Sequence, residues 1–311
     1  MSRNTFYGHG KLLLTGEYFV LDGAEALAVP TKVGQSLKVE ETNQFDLLRW
    51  KSFNEDGSLW LSGKFRISDF EILDKDPSEA LQYLQKILKA TRQLNANFLQ
   101  SKNGLQVEMQ LEFPRNWGLG SSSTLLHCLS KWAEVDAFEL LKLTFGGSGY
   151  DLACADSDSA VLYKIENQKP TWRTCKYHPS FSDRLFFIHL NQKQNSRAGI
   201  RQYRKVSKDI ESLLPEISML THEFLNNPSI FDLNHVIREH EHLVNSTIKQ
   251  PRAKDLFFKN FEGEIKSLGA WGGDFIMATN PYDTSAELIA YFKEKGFETT
   301  LSFEEMILEL V

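Results

Sequence analysis

Cysteine is scarce: Cys128, Cys154 and Cys175 are the only three in 311 residues. Their odd number and wide spacing give neither a disulfide framework nor a zinc-ligand pattern, and fit a reducing compartment. Positive charge is not in excess either. Lys and Arg total 35 against 41 Asp and Glu, for a net charge of −6 and a pI of about 5.8. This argues against a general nucleic-acid-coating role, which needs a basic face, while leaving room for a local basic pocket. No apolar run approaches the ~18 residues of a membrane span. The opening MSRNTFYGHGKLLLTGEYF lacks the long apolar core of a signal peptide. The expectation is a soluble, cytoplasmic protein with no nucleic acid and no membrane as partner. Also absent are tandem repeats, low-complexity tracts, the G-x-x-x-x-G-K-[ST] phosphate loop and a dinucleotide fingerprint.

What is present suits a globular chain with a sizeable core: 41% hydrophobic, 24% charged and 12% aromatic residues. The length suggests two domains on a prior of ~150 residues each. A polar stretch around NQKP and YHPSFSD marks the expected boundary, giving domains 1–182 and 183–311. Strand patterns are read in KLLLTGEYFVLDGAEALAVPT, VGQSLKVEET, DLLRWKSF, GSLWLSGKF and RISDFEIL, with turn signals between them. DPSEALQYLQKILKATRQL carries Leu81, Leu84, Ile87 and Leu88 at helical spacing and predicts an amphipathic helix. GLQVEMQLEF alternates as a strand. TLLHCLSKWAEV reads as a helix, and a long helical region begins near Ala198. Strands and helices are mixed without regular βαβ alternation, so the fold class expected is α+β.

The stretch PRNWGLGSSSTLL, residues 114–126, stands out. Glycine tolerates tight bends and close backbone approach, and serine favours helix starts over helix interiors. Gly118, Gly120 and three serines therefore read as a bend opening onto a helix. The unpaired N–H groups and positive dipole end of such a helix form an anion seat.

Two other glycine-bearing segments share the chain with it: GHGKLLLTGEYFVLDG near the start and GAWGGD at 269–274. GSGYDLACA, with Asp151, lies between them. In order and wording these resemble the GHMP kinase superfamily. Gly10, Lys11, Gly16 and Glu17 match the first motif, Gly118 to Ser122 the phosphate loop, and Gly269 to Gly273 the third. Ser148-Gly149-Tyr150-Asp151 matches a further Ser-Gly-x-Asp element. The resemblance spans nearly the whole chain.

It implies a two-domain GHMP kinase fold, with an N-terminal domain like ribosomal protein S5 domain 2 and a ferredoxin-like C-terminal domain. It implies ATP as cofactor, its phosphates on Gly118, Leu119, Gly120, Ser121, Ser122 and Ser123, with Mg²⁺ on the Ser122 hydroxyl. Asp151 matches the catalytic aspartate that takes the acceptor proton. Lys11 matches the active-site lysine, an ammonium that would keep that carboxylate ionised and favour negative charge at the acceptor oxygen. Glu17 is expected in a structural or substrate-side role. Many members place a second metal carboxylate eleven residues before the aspartate. Here that position is Leu140, and Glu139 beside it is the metal candidate. Trp117 and Trp271 add bulk to two of the glycine motifs, as lids over a ligand or as fillers of a narrowed site. His235, His240 and His242 in HVIREHEH do not share one helix face at i, i+4 spacing and read as a solvated face. Trp60 reads as core or edge packing.

The acceptor that the resemblance implies is an alcohol, phosphorylated or not. GEYFVLDG is similar to the wording of phosphomevalonate kinases, whereas mevalonate kinases usually carry histidine where this chain has Tyr18. Lys193, Arg197, Arg201, Arg204 and Lys205 form a local cationic run suited to a substrate phosphate, or a solvated helix face. The substrate-side candidates are Glu17, Tyr18, Ser148, Arg197, Arg201, Gly272 and Gly273. The leading expectation is phosphorylation of phosphomevalonate in isoprenoid biosynthesis, by a monomer or homodimer. Mevalonate kinase, another small-alcohol or sugar kinase, and a non-catalytic nucleotide-binding regulator remain open alternatives.

Overall fold

The computed structural model describes residues 4–101, 103–192, 196–206, 210–271 and 273–308. In chain order its elements are β1 (Thr5–Leu13), β2 (Ala26–Thr42), β3 (Leu47–Phe53), β4 (Leu59–Arg66), α1 (Glu79–Leu94), β5 (Gly104–Leu111), α2 (Ser121–Ala133), α3 (Ala137–Thr144) and α4 (Tyr150–Ala155). Then follow β6 (Ala160–Glu166), β7 (Lys169–Cys175), β8 (Leu185–His189), α5 (Ser196–Val206), α6 (Leu214–Leu225), α7 (Ile230–Ile248) and α8 (Ala253–Phe257). The chain closes with β9 (Ile265–Ser267), β10 (Phe275–Thr279), α9 (Ser285–Glu294), β11 (Thr300–Ser302) and α10 (Phe303–Met306).

Contacts divide the chain into two compact units. One comprises Met1–Gly10, Val33–Arg115 and Gly120–Asp156; the other comprises Lys11–Lys32, Asn116–Leu119 and Ser157–Val311. The second unit thus takes in residues 157–182, which the sequence reading assigns to the N-terminal domain. The cause is strand pairing: β6 aligns antiparallel with Ala26–Ala28 of β2, and β7 pairs with β6.

In the first unit the strands run β4-β3-β5-β2. β3 and β5 are parallel, and α1 lies in the connection that a parallel pair requires. Ser78 caps α1 by accepting the Leu81 N–H, and Leu81, Leu84, Ile87 and Leu88 are buried, as the periodicity predicts. They join Leu37, Leu48, Trp50, Phe65 and Val107 of the sheet and Leu126 and Leu129 of α2 in one core. β2 follows its sequence closely. Its apolar start is buried from Ala26 to Thr31, and burial alternates from Gln35 to Glu40 as the sequence turns polar.

RISDFEIL is a correction: the strand ends at Arg66. Asp46 accepts the Ser68 N–H and hydroxyl, Arg66 N–H donates to the Glu71 carbonyl, and Phe70 takes φ 56°. Asp46 and Asp69 carboxylates take the Ser68 and Glu71 N–H groups and turn the chain, and Ile72 returns as an isolated bridge to Phe65. NQKP, read as a polar boundary, is a hairpin tip. Asn167 and Gln168 both have positive φ (50° and 62°), the geometry of a two-residue primed turn, and β7 follows.

In the second unit β11-β8-β10-β9 form an antiparallel sheet. Phe186, Ile188, Ile276 and Ala278 pack with Phe258, Phe261, Leu288 and Phe292 in its core. The architecture is α+β, with a mixed sheet and a separate antiparallel sheet.

Candidate active site

In the first unit the glycine-serine stretch does what its composition predicts. Gly120 caps α2 in the left-handed conformation (φ 88°), with no side-chain cap and no acidic residue in the first turn. Its carbonyl accepts the N–H groups of Ser123 and Thr124. Ser122 is exposed, and Ser121 and Ser123 are half-buried. Thr124 is buried, its hydroxyl on Gln35 at 2.6 Å, which anchors the turn to β2. The helix therefore begins with an open, dipole-positive end. α4 packs beside α2 and also starts on a left-handed glycine, Gly149 (φ 88°). Lys131 of α2 pairs with Asp156 at the end of α4 at 2.8 Å, tying the two C-terminal ends together. Asp151 lies in the first turn of α4, half-buried, and Ser148 just precedes it, also half-buried.

In the second unit Lys11 is clipped to residues 118 and 119. Its N–H donates to the Leu119 carbonyl at 3.0 Å and its ammonium to the Gly118 carbonyl at 3.1 Å. Gly118 has φ 68°, and a Cβ there would overlap the carboxylate of Asp274. Asp274 is held by N–H donation to the Gln192 carbonyl and acceptance of the Leu190 N–H. Trp117 packs edge-on against Phe275 (5.4 Å between centroids), and His189 beside it contacts the Asn116 carbonyl. Trp271 is completely buried with φ 51°; it fills the core.

Glu17 is fully buried. The Lys266 ammonium donates to its Oε1 at 2.5 Å and lies 3.5 Å from Glu241 Oε1. Glu241 accepts the N–H and hydroxyl of Ser267. Gly16 N–H donates to His240 Nε2, which lies 3.4 Å from Glu17 Oε2. His240 is thus a correction to the solvated-face reading: it is buried, while His235 and His242 are exposed. As an acceptor at Nε2 its ring is neutral. Burial and the Lys266 charge hold its pKa well below the ordinary range. Burial pushes Glu241 up to about 7, against the pull of Lys266, and raises Glu17 in the same way. Lys266 and Glu241 escaped the sequence reading. No local signal marked them, since Lys266 stands in the mixed stretch EGEIKSL and its partners lie far along the chain.

Tyr18 is buried, its hydroxyl donating to the Ala270 carbonyl at 2.7 Å. Of the cationic run, Arg201 and Lys205 are exposed, whereas Arg204 pairs with Asp22 at 2.6 Å. Gly273 is buried. Gly272, Lys193 and the Arg197 side chain lie outside the described residues.

Glu139 is exposed on α3 and pairs with Lys142 on the same helix at 2.7 Å. Leu140, at the position eleven before Asp151, is buried in the core. Among the described residues no group of three or more His, Cys, Asp or Glu side chains is placed to hold a metal. No described helix is long and apolar enough to cross a membrane.

A glycine-bent loop, an uncapped helix start and a lysine clipped to the loop sit on an α+β frame that is the fold of the GHMP kinases. Methanococcus jannaschii mevalonate kinase is similar in structure (TM-score 0.66, 17% identity), covering 93% of this chain and 94% of its own. So is Streptococcus pneumoniae phosphomevalonate kinase, solved with phosphomevalonate and AMPPNP (0.69, 15% identity, 96% and 99% covered). Lactococcus lactis galactokinase, solved with galactose, matches at 0.68 and 12% identity, with 98% and 93% covered. No family model matches the sequence, and no curated protein matches it.

Proposed function

We propose that this chain is an ATP-dependent kinase that phosphorylates a small alcohol, and that the acceptor already carries a phosphate, phosphomevalonate being the first candidate. The carrying observation is the loop itself: Gly120 opens α2 without a side-chain cap, and Lys11 grips residues 118 and 119 by backbone and ammonium together. Within a fold shared with small-molecule kinases, an uncapped helix start that follows a lysine-held glycine loop in sequence suits a polyphosphate.

ATP, when bound, supplies the phosphoryl group. The N–H groups of Ser121 and Ser122 at the start of α2 would hold its phosphates, and Lys11 would supply a neutralising charge. Ser122, the exposed serine of the turn, is the hydroxyl for Mg²⁺. Glu139 is engaged with Lys142, so the metal's remaining ligands would be phosphate and water oxygens. Asp151 accepts the proton of the acceptor hydroxyl. The acceptor phosphate is assigned to the cations of α5, with Arg201 exposed and Arg197 as its sequence neighbour on the helix.

A coupled ADP-release assay over mevalonate, phosphomevalonate, homoserine and sugars tests the reading. Phosphomevalonate is expected to give the highest kcat/KM. Faster turnover of mevalonate or a sugar moves the chain to that acceptor class. Nucleotide binding with no turnover on any acceptor makes it a regulator.

A further inference from the structure

Tyr18 carries a backbone that side chains rarely adopt, φ 64° and ψ −47°. Such a conformation is strained and persists only where its surroundings dictate it. Here they do. On one side Gly16 N–H is held by His240 and the Glu17 carboxylate by Lys266. On the other, Phe19 N–H donates to the Glu17 carbonyl and Leu21 N–H to the Tyr18 carbonyl, starting the 3₁₀ turn Phe19–Asp22. The effect is to turn the ring inward, where it is 6% exposed.

Inward, the ring meets two elements. Its hydroxyl donates to the Ala270 carbonyl in the third glycine turn at 2.7 Å. Its face stacks on Tyr203 of α5, 5.5 Å between centroids at 25°. One helical turn earlier, Gly199 faces the same ring. A Cβ at 199 would overlap the Tyr18 hydroxyl and lie 3.1 Å from Cε1 and Cζ. The positions 199 and 203, four apart, form one stripe of α5. Asp22 completes the seat, accepting from the Tyr203 hydroxyl at 2.7 Å and from Arg204 at 2.6 Å.

We propose that Tyr18 is a positioning residue: its ring and hydroxyl fix where α5 lies against the third glycine turn, and so set the reach of that helix's cations toward a phosphorylated acceptor. The acceptor half rests on the kinase reading above. Tyr18 does not touch the acceptor; it acts through Gly199, Tyr203 and Ala270.

The test uses the full chain without ligands, and amide hydrogen exchange across α5 in the parent, Tyr18→Phe, Gly199→Ala and the double variant. Alanine favours helix over glycine, so propensity alone would slow exchange in Gly199→Ala. The collision with the hydroxyl is expected to speed it ~10-fold or more, and the double variant to return to within ~3-fold of Tyr18→Phe, since contacting residues are not additive. Parent-like exchange in Gly199→Ala, or a double variant as fast as Gly199→Ala, overturns the seat. Should Gly199→Ala not fold, Tyr18→Phe alone decides: faster α5 exchange supports the seat and unchanged exchange overturns it. In steady-state kinetics Tyr18→Phe should raise KM for phosphomevalonate ~3–10-fold, the scale of one hydrogen bond, with kcat and KM for ATP within ~2-fold. An unchanged acceptor KM overturns the acceptor half. A parent that phosphorylates no acceptor overturns the kinase reading and that half together, while the exchange measurements still decide the seat.

Discussion

The carboxylate of Asp274 packs against the Cα of Gly118, in the space a methyl group there would need. Asp274, directly after the third glycine motif, thereby dictates a glycine at position 118. Gly118→Ala is expected to weaken MgATP binding at least ~10-fold, because the overlap adds to the ~1 kcal/mol cost of alanine at positive φ. Asp274→Ala in the same chain should recover most of the loss. Calorimetric titration of both variants checks it; a single variant that binds as the parent does contradicts the packing argument.

Lys11→Met removes the ammonium from the Gly118 carbonyl and leaves the N–H bond to Leu119. Turnover should fall by ~100-fold or more, the scale of losing one charge-stabilising group, with little change in melting temperature. Steady-state kinetics beside a thermal melt separate this from a folding defect. An equal loss of stability would make Lys11 a structural clip.

Ser122 and Ser123 differ in exposure, exposed against half-buried. Ser122→Ala is expected to raise the Mg²⁺ concentration for half-maximal rate several-fold, and Ser123→Ala to leave it nearly unchanged. Mg²⁺ titrations of the two variants decide. Equal, small effects would reduce the serine run to a helix start.

The buried cluster of Glu17, Lys266, Glu241 and His240 makes stability depend on pH. Glu241 is pushed up to about 7 from 4.5, so its protonated form is favoured in the folded state. Its contribution is full below about 4.5 and is lost as pH rises through about 7. His240, held low, acts in the opposite sense below about 6.5. Glu241→Gln removes only the first effect. Relative to the parent, its unfolding free energy should therefore rise across pH 4.5–7.5, by on the order of 2 kcal/mol. Urea unfolding at several pH values reads it; a constant difference would place the proton elsewhere.

The parts of this molecule legible in its sequence are those set by local rules. The periodicity of Leu81, Leu84, Ile87 and Leu88, the alternation of GLQVEMQLEF and the glycine bend before α2 each need only neighbouring residues to be understood. What stayed hidden depends on distance along the chain. Glu17 finds Lys266 249 residues away, and Gly16 finds His240 224 away. Nothing near His240 distinguishes it from the exposed His235 and His242 beside it on α7. The end of β4 at Arg66 was masked by apolar alternation that Asp46 overrides from twenty-two residues upstream. Tyr18 was legible as a motif position and illegible as a support for α5, because its strain follows from both neighbours being anchored to other elements.

The proposed function stands on phosphoryl transfer to an alcohol with Asp151 as the base. The most direct measurement is acceptor-dependent ADP formation by the parent and by Asp151→Asn at saturating MgATP and phosphomevalonate. The replacement is isosteric, so thermal stability should barely move. Turnover in the parent and a loss of at least ~100-fold in kcat in the variant are expected, with ATP binding retained. Near-parent turnover in Asp151→Asn, or a parent that forms no ADP with any alcohol, contradicts that function.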